Sequence, residues 1–164
     1  MVKTRITVDA YIAEYARGKY WDASAQAVRF PSHTDIYEYV YNVLRRRPRN
    51  ASPIDRGNLE IVLPDKHEGD LSYGKSPEQF NYISERGSLL LNKRLKSMFW
   101  AEVHEAMDEG KHIRGLQYKD IAYMFVCRYD ISSISDDSLM KNYQRWRDNM
   151  RRQRKRSYTS RKKR

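Results

Sequence analysis

The chain has 164 residues, enough for one domain or one domain with a small companion, and 40% hydrophobic with 12% aromatic content excludes a wholly disordered chain. Its single cysteine, Cys127, excludes an internal disulfide, and no apolar run approaches the ~20 residues of a membrane-spanning helix. The net charge of +11 directs attention to polyanions.

In chain order, Lys3 to Val8 alternate polar and apolar, which predicts a strand. Asp9 is expected to cap a helix that runs to about Arg17 and ends at Gly18. Ala27-Val28-Arg29-Phe30 predicts a second strand, stopped by Pro31. Ser32 and Thr34 offer caps for a helix carrying Ile36, Tyr39, Val40, Val43 and Leu44 on one stripe. Arg45, Arg46 and Arg47 close that helix, and Pro48 terminates it. Asn58 to Leu63 predicts a third strand, so residues 1–63 read as a small β-α-β-α-β unit.

Residues 64–76 are polar and Gly-rich, as in a linker. Ser76-Pro77-Glu78-Gln79 is a helix-start signature. A helical region is expected from there to about Asp108, with a break at Gly87. A second helix fits Tyr118 to Tyr129, with Ile121, Ala122, Met124 and Phe125 inward, and a third follows Ser135. The predicted fold class is α+β: a three-stranded N-terminal unit, a tri-helical domain over 77–156 and a disordered basic tail over 157–164.

The net charge is concentrated at one end. From Lys141 to Arg164 there are 12 Lys or Arg and one acid, Asp148. The rest of the chain holds 20 basic and 20 acidic side chains. Within the last predicted helix, Leu139, Tyr143, Trp146 and Met150 form an apolar stripe. Lys141, Gln144, Arg145, Arg147, Asp148, Arg151 and Arg152 occupy the remaining surface, and Asn142 is a further candidate nucleic-acid contact. Arg and Gln pair bidentately with guanine and adenine edges in the major groove, and Lys and Arg neutralise phosphates of any sequence. Arg154, Lys155, Arg156, Arg161, Lys162, Lys163 and Arg164 extend the charge and would track phosphates. Arg45, Arg46 and Arg47 form a second basic cluster, for which phosphate gripping and helix-dipole compensation both serve as readings.

Tyr118-Lys119-Asp120-Ile121-Ala122-Tyr123-Met124-Phe125, the turn through Ser133-Ile134-Ser135, and the Trp146 helix together resemble helix-turn-helix modules. The likeness, over residues 116–152, is to phage and mobile-element regulators and recombination accessory proteins. The turn, Asp130 to Ser135, is longer than the usual 3–4 residues. The resemblance implies a recognition helix whose Ser138, Lys141, Asn142 and Arg145 face bases. A plain helical hairpin is the alternative.

His104-Glu105-x-x-Asp108 with His112 falls short of the zinc pattern H-E-x-x-H, so no metal or cofactor is expected. Cys127 reads as a buried structural cysteine. No nucleophile elbow, P-loop or dinucleotide fingerprint is present, so no enzyme is expected. The aromatics Tyr11, Tyr15, Tyr20, Trp21, Tyr37, Tyr39 and Tyr41 keep open an RNA- or single-strand-binding surface. A structural protein with a basic tail for an acidic partner is the third reading. The expected partner is nucleic acid, duplex DNA first, with the N-terminal unit mediating homodimerisation or partner contact. No apolar signal region follows Met1-Val2-Lys3-Thr4-Arg5, which predicts a cytoplasmic, nucleoid-associated protein, or a nuclear one in a eukaryote.

Overall fold

The computed structural model describes residues 1–52, 56–65 and 75–162. The fold is mixed α+β, with a four-stranded sheet and five helices among the described residues. Most of the expected linker, 66–74, lies outside the described residues. By their internal contacts the described residues form two compact units. One comprises Met1–Phe99 with Tyr129–Ser133, and the other Trp100–Arg128 with Ile134–Arg164.

The first unit begins with β1 (Lys3–Ile6), α1 (Ala10–Tyr20), β2 (Trp21–Asp22), β3 (Ala27–Val28), α2 (Asp35–Val43) and β4 (Leu59–Val62). The sheet order is β1-β4-β3-β2. β1 lies antiparallel to β4, with Thr4 opposite Ile61, and β3 lies parallel to β4 through Val28 and Ile61. The sheet thus has one strand more than predicted. β2 is only two residues long, antiparallel to β3, too short to show periodicity in sequence.

Two glycines read as helix breakers are helix interiors instead. α1 runs through Gly18 to Tyr20, and the glycine stands where the chain at Tyr129 comes close. A Cβ at Gly18 would lie 2.5 Å from the Tyr129 carbonyl oxygen. Gly87 lies in α3 (Glu85–His112), where a Cβ would meet Ile83 Cγ2 at 2.9 Å. Ser76 makes only one turn, its carbonyl accepting from Gln79 N at 3.0 Å and Phe80 N at 2.8 Å. Tyr82 then bridges to Arg45 as extended chain, and the cap of α3 is Ser84, whose Oγ accepts from Gly87 N at 3.1 Å. For α2 the cap is Thr34, as one of the two expected candidates.

The core of this unit joins the sheet (Ile6, Val28, Leu59, Ile61) to Ile12 and Tyr15 of α1, Ile36 and Val40 of α2, and Leu91, Leu95 and Phe99 of α3, each 0–1% exposed. Asp9 makes no side-chain cap to α1. Its carboxylate pairs with Lys96 at 2.5 Å and accepts from Asn92 Nδ2 at 3.0 Å. The Lys96 contact holds the Asp9 carboxyl below its ordinary value, and the same contact raises Lys96.

Glu14 of α1 takes four hydrogen bonds from one turn. Ser132 donates from N and Oγ, each at 2.9 Å, and Ser133 from N at 3.0 Å and Oγ at 2.7 Å. Burial raises the Glu14 pKa, but these donors outweigh it and the net shift is downward from 4.5. A depressed carboxylate stabilises the fold above about pH 4.5, and that contribution is lost as pH falls through the lowered native value. Glu14→Gln is therefore expected to lower stability at pH 7 by roughly 1 kcal/mol, with solvent screening keeping it modest. The gap to wild type should narrow as pH falls below 4.5 and close once Glu14 is protonated in the native state, in thermal melts followed by circular dichroism. A gap that persists unchanged through the acid range would show the clamp to be uncharged in effect.

The second unit contains Trp100–His112 of α3, α4 (Tyr118–Arg128) and α5 (Asp136–Lys162). Its described buried side chains include Val103, Met107, Ile121, Ala122, Phe125, Val126, Leu139 and Tyr143. Met124, expected inward, is 50% exposed, and Cys127 is exposed rather than buried. α4 buries Ile121, Ala122, Phe125 and Val126 on one face, which turns positions 124 and 127 outward. α5 does not stop where the basic tail begins; the helix continues to Lys162. Arg, Lys and Gln are good helix formers, and no Gly or Pro follows Ser135. Continuing a packed helix also avoids the cost of nucleating a new one.

Candidate nucleic-acid interface

Tyr143 locks α5 into its unit. It is 1% exposed, and its hydroxyl donates to Asp108 Oδ1. Burial first, then the Asp108 and Tyr118 hydrogen bonds, push the phenol well above its ordinary pKa, so it stays protonated. Leu139 is also buried, while Trp146 stacks on His104 with centroids 4.5 Å apart and planes 19° apart. Trp100 also stacks with His104, with centroids 6.3 Å apart.

This packing decides which expected interface residues face solvent. Lys141, Gln144, Arg145, Arg151, Arg152, Arg154, Lys155 and Arg156 are exposed. Asn142 and Arg147 are half-buried and engaged within the unit. His104 Nε2 donates to Asn142 Oδ1 at 2.8 Å. Arg147 Nη1 donates to the Tyr118 hydroxyl at 2.6 Å, and its guanidinium lies 5.6 Å over the Tyr143 ring. Helical spacing carried this signal: Arg147 is four residues beyond Tyr143 and shares its row. Arg161 and Lys162 belong to α5 by backbone, whereas Lys163 and Arg164 lie outside the described residues.

At 100° per residue, Lys141, Arg145, Arg152 and Arg156 fall within roughly 60° of one another, opposite Tyr143. The row spans about 22 Å along α5. Asp148 is the one acid of this helix beyond its first turn, and it lies 3.9 Å from Arg151. Asp148 falls on this face too, between Arg145 and Arg152 along the axis, so the outer face is a net cationic stripe interrupted by one carboxylate and backed by an anchored apolar one.

The second basic cluster is employed inside the first unit. Arg45 Nη1 donates to the Asn42 and Leu44 carbonyls at 3.0 and 3.1 Å, at the end of α2. Lys75 Nζ donates to the carbonyls of Tyr41, Asn42 and Leu44, and burial, then the Arg45 charge, lower its pKa. Arg46 stacks over Phe80 at 5.1 Å and Arg47 over Tyr82 at 5.2 Å. Arg47 also donates to the Ser52 carbonyl at 2.6 Å. These contacts fix residues 75–82 against the end of α2.

Of the seven N-terminal aromatics, Trp21 alone is exposed, at 50%. Tyr11 and Tyr15 pack edge-on against Phe99, and Tyr20 against Phe30. Among the described residues no three His, Cys, Asp or Glu side chains group to hold a metal ion, and no helix is long and apolar enough to cross a membrane. No protein-family model, curated protein or solved structure matches the chain.

Proposed function

We propose that this chain is a non-enzymatic duplex-DNA-binding protein that lays the outer face of α5 in the major groove and follows the phosphates with its basic end. The observation that carries the reading is the four-residue stripe Lys141, Arg145, Arg152 and Arg156, turned away from the packed side of one helix. A helix of this width fits the B-DNA major groove, and a stripe of arginines at groove depth reaches both base edges and flanking phosphates. Gln144 and Arg145 are the exposed candidates for base contacts. A regulator or accessory factor of a mobile element is the role this machinery suits.

Titrating full-length protein with a short duplex across a salt series tests it. A log–log slope of about −5 to −7 is expected, from six to eight neutralised phosphates. The quadruple change of the stripe residues to Ala should flatten that slope by about 3 to 4. A slope of magnitude below about 2 sinks the reading. Exposed Trp21 supports a second reading, stacking of single strands. A single-strand preference abolished by Trp21→Ala would favour it over the first.

A further inference from the structure

A groove of about 220 Å³ opens beside the end of α3 where the packed stripe of α5 runs out. Asp108 and His112 line it from α3, and Trp146, Arg147, Arg151 and Arg154 from α5. Arg147, Arg151 and Arg154 stand at i, i+4 and i+7, one row of the helix, where like charges repel. Arg147 is already oriented by its bond to Tyr118 and its place over the Tyr143 ring. Asp108, the one carboxylate of the groove, accepts from the Tyr143 hydroxyl. Three guanidiniums against Asp108, with Asp148 3.9 Å from Arg151, still leave the groove net cationic. The volume sets the size of its ligand. It exceeds the ~30 Å³ of one water, yet falls short of the ~300–1,000 Å³ that encloses a drug-sized molecule. A phosphate group fits, and guanidinium forks match its oxygens bidentately.

We infer that this groove seats one backbone phosphate of the nucleic acid, as a contact separate from the outer stripe. The inference rests on the duplex-binding reading and adds to it a partly preformed phosphate seat. The test follows the Trp146 indole N–H resonance of the full chain, identified with Trp146→Phe, while inorganic phosphate is added at constant ionic strength. A saturable shift is expected. Arg151→Ala/Arg154→Ala should weaken phosphate binding by about tenfold or more, while Arg145→Ala/Arg152→Ala changes it by less than about twofold. A short duplex should move the same resonance and displace the phosphate. All four changed arginines are exposed, so the folded state is kept. No shift, or equal loss in both double variants, overturns the inference even where duplex binding persists and the parent reading survives. Phosphate held in the groove while duplex binds without moving Trp146 overturns the assignment to the backbone. Failure of the duplex to bind at all overturns the parent reading, and the inference with it.

Discussion

Ending the chain at Met150 is expected to weaken duplex binding about a thousandfold or more at 0.1 M salt, while leaving the thermal midpoint within about 2 °C of wild type. Residues 151–164 carry nine Lys or Arg and no acid. If about five of them neutralise phosphates, the log–log slope shrinks by about 4 to 5, and the affinity change follows from the same counterion release. Stability is spared because the packed side of α5 ends before Met150: Leu139 and Tyr143 are buried, Trp146 is half-buried, and Met150 is itself 37% exposed. Arg151 to Tyr158 are exposed, so their removal uncovers no core. Fluorescence anisotropy with a labelled duplex, beside thermal melts of both proteins, makes the comparison. A truncated chain that binds within about fivefold of the full one would assign recognition to the folded units and leave the basic end idle.

The truncation also bears on the form of the basic end. Arg151 with Lys155, and Arg152 with Arg156, set like charges four apart, each pair costing a few tenths of a kcal/mol in a free helix. Phosphates or salt relieve that cost. Helicity per residue in the full chain should therefore rise with salt or duplex, a rise the shortened chain lacks.

How far the sequence announces this fold depends on which physical signal a residue sends. The α2 stripe is legible because Ile36, Val40 and Leu44 recur on one face behind a Thr34 cap, and the structure buries all three. Gly18 and Gly87 mislead because a glycine marks either a helix end or a close approach; at Gly18 the neighbour is Tyr129, far along the chain, and at Gly87 it is Ile83, four residues earlier. Ser76-Pro77 imitates a helix start better than Ser84 does, yet the chain between them pairs with Arg45 first. At the candidate interface, charge segregation along α5 is legible. The engagement of Asn142 by His104 is not, since it depends on a helix 38 residues away. Composition reads the basic end as disordered, whereas α5 carries it as helix to Lys162, because composition does not register the packed turns that precede it.

Phe99→Ala is expected to destabilise the first unit by about 3–5 kcal/mol, the range for emptying a fully buried aromatic site. Phe99 has 0% exposure and meets two tyrosines edge-on, Tyr11 and Tyr15, each with ring centroids 5.2 Å away. Such pairs add about 0.5–1.5 kcal/mol each beyond area burial, which places the cost toward the upper end. Tyr15 in turn meets Tyr129 at 5.1 Å, in the same turn that Glu14 holds through Ser132 and Ser133. The cavity therefore loosens the seat of Tyr15 as well as its own walls. Phe99→Leu keeps most of the volume but no ring, so its cost isolates the aromatic part, about 1–2 kcal/mol. Thermal melts should show the Ala variant at least about 8 °C below wild type, with the Leu variant between them. Equal midpoints for the two variants would mean that the tyrosines do not depend on this ring. Neither change removes a charge, so below the lowered midpoint the salt dependence of duplex binding should match wild type, separating the stability of the first unit from the electrostatics of α5.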